Sequence, residues 1–291
     1  MSTIASPVTT LRPARPDDAE AVARIIHAAF AGIHDHHRFA RDFPSRESAS
    51  ALAAAFIAHP SIAGVVAERD GRILGSNFLD ERGTIRGVGP ITVDPDAQER
   101  GVGRQLMEAV LDRAAGADGV RLLQDAFNTR SLALYASLGF RVTDPVALVT
   151  GDPRGAVPAG YRVRALTDDY VLAAAEISFA VHGYERTAEL TEAMARAGAY
   201  GVFLGEHLTG YATSLAHFGS AHAVAEGPDA MAALIAAAAA DGPVSFLLPT
   251  RQDALFRWAL AAGLRVVKPM NYMVIGRHRE PAGAWIPSVL Y

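Results

Sequence analysis

The sequence predicts an α/β (mixed α+β) fold made of two similarly built halves, and three observations carry that expectation. Amphipathic helical patterns alternate with apolar runs of strand length, the order expected for helices laid on a mixed sheet. The pair Asp70-Gly71 lies between two such runs and is a strong hairpin signal, so part of the sheet is antiparallel. The order of elements then recurs, shortened, after a Gly- and Pro-rich stretch at 150–160. The chain has 291 residues, 50% apolar and 20% charged, enough to bury two cores and too apolar for a disordered chain.

Each element follows from its local pattern. Residues 16–30 form a helix with Val22, Ile25, Ile26, Ala29 and Phe30 on one face and Pro16, Asp17 and Asp18 at its start. A polar stretch, AGIHDHHRFARDFPS, comes next. A second helix is expected from about Ser45 to His59, stopped by Pro60. The strands IAGVVAER and RILGSNFL flank the Asp70-Gly71 turn, and TIRGVGPITV follows. Pro90 inside that third strand has no N–H to give a ladder, so it marks an edge or a break. The turn DPDAQERGVG leads into a helix with Leu106, Met107, Val110, Leu111 and Ala114 on its apolar face. A buried-type strand, VRLLQDAF, a short helix, TRSLALYASLG, and a strand, FRVTDPVALV, complete the first half.

Three segments of the second half match the first in the same order. Asp17-Asp18 aligns on Asp168-Asp169, Gly75 on Gly210, and Gly139 on Gly263, the last at an offset of 124 residues. The expected division is residues 1–149 as one domain, 150–160 as a linker and 161–291 as a second, shortened domain with a C-terminal tail, whose Trp285, Ile286, Val289, Leu290 and Tyr291 are expected to pack against the body.

Composition narrows the chemistry. There is no cysteine, hence no disulfide, no thiolate metal ligand and no cysteine nucleophile. Lys268 is the only lysine, so the lysine-bearing phosphate loop of nucleotide hydrolases is missing. A net charge of −4 gives no overall attraction to nucleic acid or to an anionic membrane. The N-terminal residues show no leader pattern, and the longest apolar run, at 231–240, is too short to span a bilayer. A cytoplasmic location is the expectation. No metal is expected, and the cluster His34, Asp35, His36, His37 reads as a polar loop that could touch a substrate.

The informative stretch is ITVDPDAQERGVGRQLMEAV, residues 91–110. Gln98, Gly101 and Gly103 lie between a strand and a helix, where missing Cβ atoms let backbone N–H groups approach an anion. Arg100 and Arg104 flank them and could pair with phosphates. A dinucleotide-binding fingerprint fails here, because Leu106 stands where its third glycine belongs.

Together with FNTRSLALYASLGFRV, this stretch resembles the GNAT superfamily of acyl-CoA-dependent N-acyltransferases over residues 11–149. The resemblance implies a central mixed sheet that splays apart next to the cofactor loop, and with the repeat it implies two such domains in tandem. It implies acetyl-CoA as co-substrate, with pantetheine along Ile91, Thr92 and Val93. The pyrophosphate would lie on Gln98 and the N–H groups of Arg100, Gly101, Val102, Gly103 and Arg104. Asn128 and Tyr135 match positions that touch the cofactor, and Tyr135 would be the general acid. An amine acceptor, a small molecule, would attack the thioester directly in a ternary complex. For the base, Asp80, Glu81 and Asp125 all fall near the expected cleft, and Glu81 ranks first because it leads into the splayed strand. The second half has only Gly227 followed by Pro228 in the equivalent loop, and Ala259 at the Tyr135 position, so it reads as degenerate. A non-catalytic acyl-CoA- or partner-binding module is the alternative. A third reading is a tandem enzyme like mycothiol synthase, which ranks below both because its second domain is the active one.

Overall fold

The computed structural model describes residues 9–98, 100–196, 198–215 and 222–290, apart from the side chain of Asp241. Residues 1–8 and Tyr291, which entered the expectations about a leader and a packed tail, lie outside the described residues. The first half runs β1 (Thr10–Pro13), α1 (Ala19–His37), α2 (Arg46–Ala58), β2 (Ile62–Arg69), β3 (Arg72–Asp80), β4 (Ile85–Val88), β5 (Thr92–Val93), α3 (Val102–Arg113), β6 (Gly119–Asp125), α4 (Thr129–Ser137) and β7 (Arg141–Gly151). The second runs β8 (Tyr161–Ala165), α5 (Val171–His182), α6 (Thr187–Ala195), β9 (Tyr200–Leu204), β10 (His207–Ala212), β11 (Ala223–Ala225), α7 (Pro228–Ala238), β12 (Val244–Pro249), α8 (Asp253–Ala261), β13 (Arg265–Gly276) and β14 (Ala284–Ile286).

Helix α1 extends two turns beyond Phe30, into the first half of the stretch expected to be polar. Its buried stripe of Val22, Ile25 and Ile26 continues to His34, which is fully buried, so the helix gains contacts by going on. It stops at Arg38, whose positive φ of 60° reverses the chain. Ser45 caps α2 by accepting a hydrogen bond from the Ser48 amide. At the hairpin, Asp70 and Gly71 both have positive φ, the backbone of a tight type I′ turn.

The expected third strand is two. β4 pairs antiparallel with β3 and parallel with β6, but after Gly89-Pro90 the chain continues as β5, which pairs with β3 alone. The other edge of β5 is thus turned away from β6, and the sheet splays at this point. β3 carries Gly75 opposite β5 because a Cβ there would sit 2.5 Å from the Thr92 carbonyl oxygen. The aligned Gly210 is required for the same reason, with its Cβ 2.6 Å from that of Ala225 on β11.

The strands form two sheets that do not follow the division of the chain at 150–160. Nine strands make one sheet, in the order β1-β2-β3-β4-β6-β13-β7-β12 with β5 attached to β3, and five make the other, β14-β11-β10-β9-β8. The last long strand of each half crosses over: β13 pairs with β6 of the first half, and β7 pairs with β12 of the second. In the central β7–β13 ladder Thr150 faces Arg265 and Arg141 faces Val274. Moved by the 124-residue offset of the repeat, each of these pairs becomes the other. The two halves are therefore related by a local twofold and exchange strands through it.

This exchange gives the halves a shared core cluster, in which Ile26 and Phe78 join Leu190, Phe203 and Trp285. The C-terminal tail docks as expected: Trp285, Ile286 and Leu290 are all buried. No described helix is long and apolar enough to cross a membrane.

Candidate active site

The splay between β5 and β6 opens into a cavity of about 870 Å³, a size suited to a large small-molecule ligand. It brings together most of the residues expected from the sequence. Ile91, Thr92, Val93, Gln98, Gly101, Val102, Gly103, Arg104, Asn128 and Tyr135 all line it. Arg100 and Glu81 do not.

The loop before α3 is shaped by Gly101, the residue before the helix, at φ +80°. A Cβ there would meet nothing within 4 Å. The first helical hydrogen bond of α3 runs from the Gln105 N–H to the Gly101 carbonyl. The N–H groups of Val102, Gly103 and Arg104 precede it and have no partner within the helix. Together with the helix dipole they make an anion cradle at one end of the cavity. Gln98 is held across this mouth, donating to the Val93 carbonyl and accepting from Arg130 at 2.9 Å. Arg104 reaches Ser137 at 2.6 Å, and Arg100 is exposed.

Tyr135, on α4, is buried and packs edge-on to Phe140. Burial pushes its hydroxyl pKa up, and the charge of Asp125 adds to the effect. The phenol is thus held protonated at the cavity wall. Asn128 caps α4 by accepting from the Ser131 amide, which fixes its side chain at the same wall.

Glu81 is placed elsewhere. Its carboxylate holds Arg113 through two hydrogen bonds, at 3.1 and 2.7 Å, at the C-terminal end of α3. Asp80 is also spoken for: it is fully buried and paired with Arg82, which in turn reaches Glu189 and Glu192 of the second half.

Of the three acidic candidates, Asp125 is the one on the cavity, and it belongs to a cluster that sequence reading missed. Asp42 and Asp125 both line the cavity. Behind them lies Lys268 of β13, fully buried, with Nζ 2.6 Å from Asp42 Oδ2 and 2.7 Å from Asp125 Oδ1. His34 Nε2 is 3.2 Å from the same Nζ, and His34 Nδ1 is fixed by the Phe30 carbonyl at 2.8 Å. The cluster His34–His37 is thereby divided. His34 points inward, Asp35 pairs with Arg41, and His36 and His37 stand at the cavity. Ligand atoms of His34, Asp42 and Asp125 lie within 4.8 Å of one another, and the Lys268 ammonium supplies a positive charge among them.

The two carboxylates have different environments. Burial disfavours the charge on Asp42, but His34 and Lys268 overcome it and hold the carboxyl down at about 2. Burial pushes Asp125 up; Lys268 opposes this and the Asp42 charge reinforces it. For His34 burial disfavours the charged ring, yet the adjacent carboxylates push its pKa up against Lys268. One signal for this cluster stood in the sequence: the single lysine, in a mostly apolar strand.

The corresponding place in the second half is closed. α7 starts at Pro228, which has no N–H, and Ala259 stands at the position of Tyr135. β14 pairs with the edge of β11 that corresponds to the open edge of β5. Gln252, aligned with Asn128 by the 124-residue offset, grips this strand: its amide accepts from the Trp285 N–H at 2.9 Å and donates to the Trp285 carbonyl at 2.6 Å.

A splayed mixed sheet with an anion cradle and a buried tyrosine on one cavity is the arrangement that the resemblance to the acyltransferases implies. A family model described as acetyltransferase (GNAT) domain matches residues 60–142. The chain is 30% identical over 125 residues to the IAA acetyltransferase of Azospirillum brasilense, a match covering 42% of this chain and 82% of that protein. It is 38% identical over 84 residues to the mycothiol acetyltransferase of Clavibacter michiganensis, and here the match covers 28% of either protein. The chain thus spans little more than a quarter of that relative's length. The structure of a Pyrococcus horikoshii protein assigned to the acetyltransferases shares the fold, with a TM-score of 0.75 at 19% identity, covering 97% of this chain and 95% of that one. The chain belongs to the GNAT acetyltransferases.

Proposed function

We propose that the first half transfers an acetyl group from acetyl-CoA to a primary amine by direct attack in a ternary complex. The observation that carries this reading is a single cavity running from the α3 cradle, past the open edge of β5, to Tyr135 and Asp125. The residues present fit such a co-substrate. Gly101 and the first turn of α3 leave room and N–H groups for a pyrophosphate. The outer edge of β5, which no described strand pairs, is open to an amide-bearing arm, and β11 uses the corresponding edge to hold β14. Asn128 is where Gln252 holds a peptide in the second half, which supports a role in holding the arm's amide.

Acetyl-CoA supplies an activated acyl carbon and a thiolate leaving group. The chain's own part is to align, to donate and to exclude water. A β5 N–H aimed at the thioester oxygen stabilises developing negative charge there. Tyr135, kept protonated by burial, donates to the departing sulfur. Arg100 and Glu81 have no part at the reacting atoms in this reading. The division into a catalytic first domain, 1–149, and a degenerate second one stays part of the proposal, with the qualification that β13 of the second half completes the first sheet.

Calorimetry with CoA tests the cofactor reading. One site per full chain is expected, and Gly103→Glu, which fills the cradle, should abolish binding. Two sites, or binding unchanged by the substitution, would overturn it. CoA binding without thiol release across a panel of primary amines would favour the alternative of a binding module.

A further inference from the structure

One lysine facing two carboxylates leaves a negative charge uncompensated when His34 is neutral, and both carboxylates stand at the cavity wall. A site of this kind suits a cation. One side of its surroundings is apolar: Phe30 packs edge-on to Phe43 at 5.1 Å and stacks near His34, while Met270 and Leu290 of the second half close the same cavity. An ammonium attached to an apolar body fits both features.

We propose that Asp125, held in place by Lys268 of the second half, receives the acceptor's ammonium and takes its proton, and that the acceptor is a primary amine with an apolar body. The proposal rests on the acetyl-CoA reading of the cavity. Asp125 is the catalytic residue; Lys268 touches only the carboxylates and His34 and is a positioning residue. The acceptor ammonium passes one proton to the Asp125 carboxylate and becomes the free amine. Its nitrogen lone pair attacks the thioester carbon, the C–N bond forms and the C–S bond breaks. Tyr135 gives its proton to the departing thiolate and regains one from the nitrogen of the adduct. Asp125 then releases its proton to solvent, so one ammonium and one thioester become one amide, one thiol and one proton. Between the two carboxylates the environments divide the labour: Asp42 is held strongly acidic, and Asp125 is pushed toward the basicity the step needs.

The route from the second half is the exchanged strand. β13 pairs with β6 so that Met270 faces Asp125, and Lys268, two residues earlier, comes in behind the carboxylate. A first domain cut away from β13 would keep the cradle and lose this charge.

The test uses the full chain, with 2-phenylethylamine as acceptor and thiol release as readout, alongside CoA calorimetry and a carbon-13 titration of aspartate carboxyls. Asp125→Asn should lower kcat by about 10²–10⁴-fold with the CoA Kd unchanged. Lys268→Met should move the Asp125 carboxyl titration, and with it the acid limb of the kcat profile, to higher pH, because a compensating positive charge is gone; Lys268→Arg should restore the limb in part. The groups facing Asp125 are Asp42 and His34, Lys268 from β13 and Tyr135 from α4; His34 also holds the Asp125 carboxyl down, so His34→Gln should move the acid limb to higher pH too, by less than Lys268→Met does. Should Asp125→Asn fold poorly, the double change Asp125→Asn with Lys268→Met removes both charges and should regain stability but not turnover. An Asp125→Asn chain that keeps kcat, or a carboxyl titration indifferent to Lys268→Met, would overturn the catalytic assignment while CoA binding stands. Wild-type chain that binds CoA but leaves 2-phenylethylamine untouched would overturn the acceptor class. Absent CoA binding would overturn the acetyl-CoA reading itself.

Discussion

Strands β5 and β11 occupy corresponding places in the two halves, each beside a glycine-bearing strand and ahead of a helix, yet different things lie against them. The edge of β5 faces a cavity of about 870 Å³. The edge of β11 is paired with β14, the chain's own tail. The cradle diverges in step: Gly101 and free N–H groups before α3, against Pro228 at the start of α7. Among the described residues the second half lacks that room and those donors, while the glycines of the neighbouring strands, Gly75 and Gly210, are common to both. The comparison teaches that a splay is a vacant strand position, which a ligand or a peptide can occupy. The second half in turn supplies β13, Lys268 and closing residues of the cavity to the first.

The largest effect that can break this comparison concerns Tyr135, whose counterpart is Ala259. Tyr135→Phe keeps the ring packing and removes only the hydroxyl. The expected loss is about 10²–10⁴-fold in kcat with little change in KM for acetyl-CoA. An unchanged kcat, in a reaction whose chemistry is rate-limiting, would make Tyr135 a packing residue like the alanine opposite it.

A second effect falls on the tail. Trp285→Ala empties a buried site between His182, Tyr272 and the Gln252 amide, and large-to-small changes of this kind cost about 3–5 kcal/mol. Stability measured by denaturant should drop by that order. CoA stoichiometry should remain at one, because Pro228 still denies the second half a cradle. A second CoA site appearing in this variant would mean that the tail alone had closed it.

The paired glycines give a smaller, sharper contrast. Gly75→Ala and Gly210→Ala each force a Cβ into a neighbouring strand, at 2.5 and 2.6 Å, and overpacking of this sort costs about 1–3 kcal/mol. Both should lower the thermal midpoint. Only Gly75→Ala should also weaken CoA binding, since it displaces β5; equal CoA affinity in the two variants would detach β5 from the cofactor.

How much of this was legible beforehand depends on how local the determinant is. The α3 cradle, the break at Pro90 and the Asp70-Gly71 turn are each written within a few consecutive residues, and each could be read directly. The repeat was legible too, because three short motifs recur in the same order, the last at an offset of 124 residues. The strand exchange was not: which neighbour β13 takes in the sheet depends on a twofold between halves, and nothing inside RVVKPMNYMVIG encodes it. The cluster of His34, Asp42, Asp125 and Lys268 draws on α1, the loop after it, β6 and β13, so no spacing rule could assemble it. Glu81 looked apt because it precedes the splayed strand, but its side chain turns toward Arg113. Position along the chain and direction of the side chain are separate facts, and only the first is in the sequence.

The smallest expected effect concerns acid. In the second half His182 is stacked on Tyr184 and edge-on to Trp285, and burial, with Arg186, Arg279 and Arg121 adding positive charge, pushes its pKa down to about 3. The folded ring is neutral, while in the unfolded chain it takes a proton below about pH 6.5. Between these values the unfolded state binds more protons, so this group's contribution to stability is full above about pH 6.5 and is lost as pH falls toward 3. In the first half Asp42, held at about 2, gives up its contribution only as pH falls from about 4. Acid should therefore weaken the region around the second half's tail first. Thermal midpoints measured from about pH 7 to 4 should decline, and His182→Phe, which keeps an aromatic ring in the stack, should make the decline shallower than in the wild-type chain. Identical slopes in the two proteins would mean that His182 is protonated without loss of the fold, and that the two halves meet acid alike.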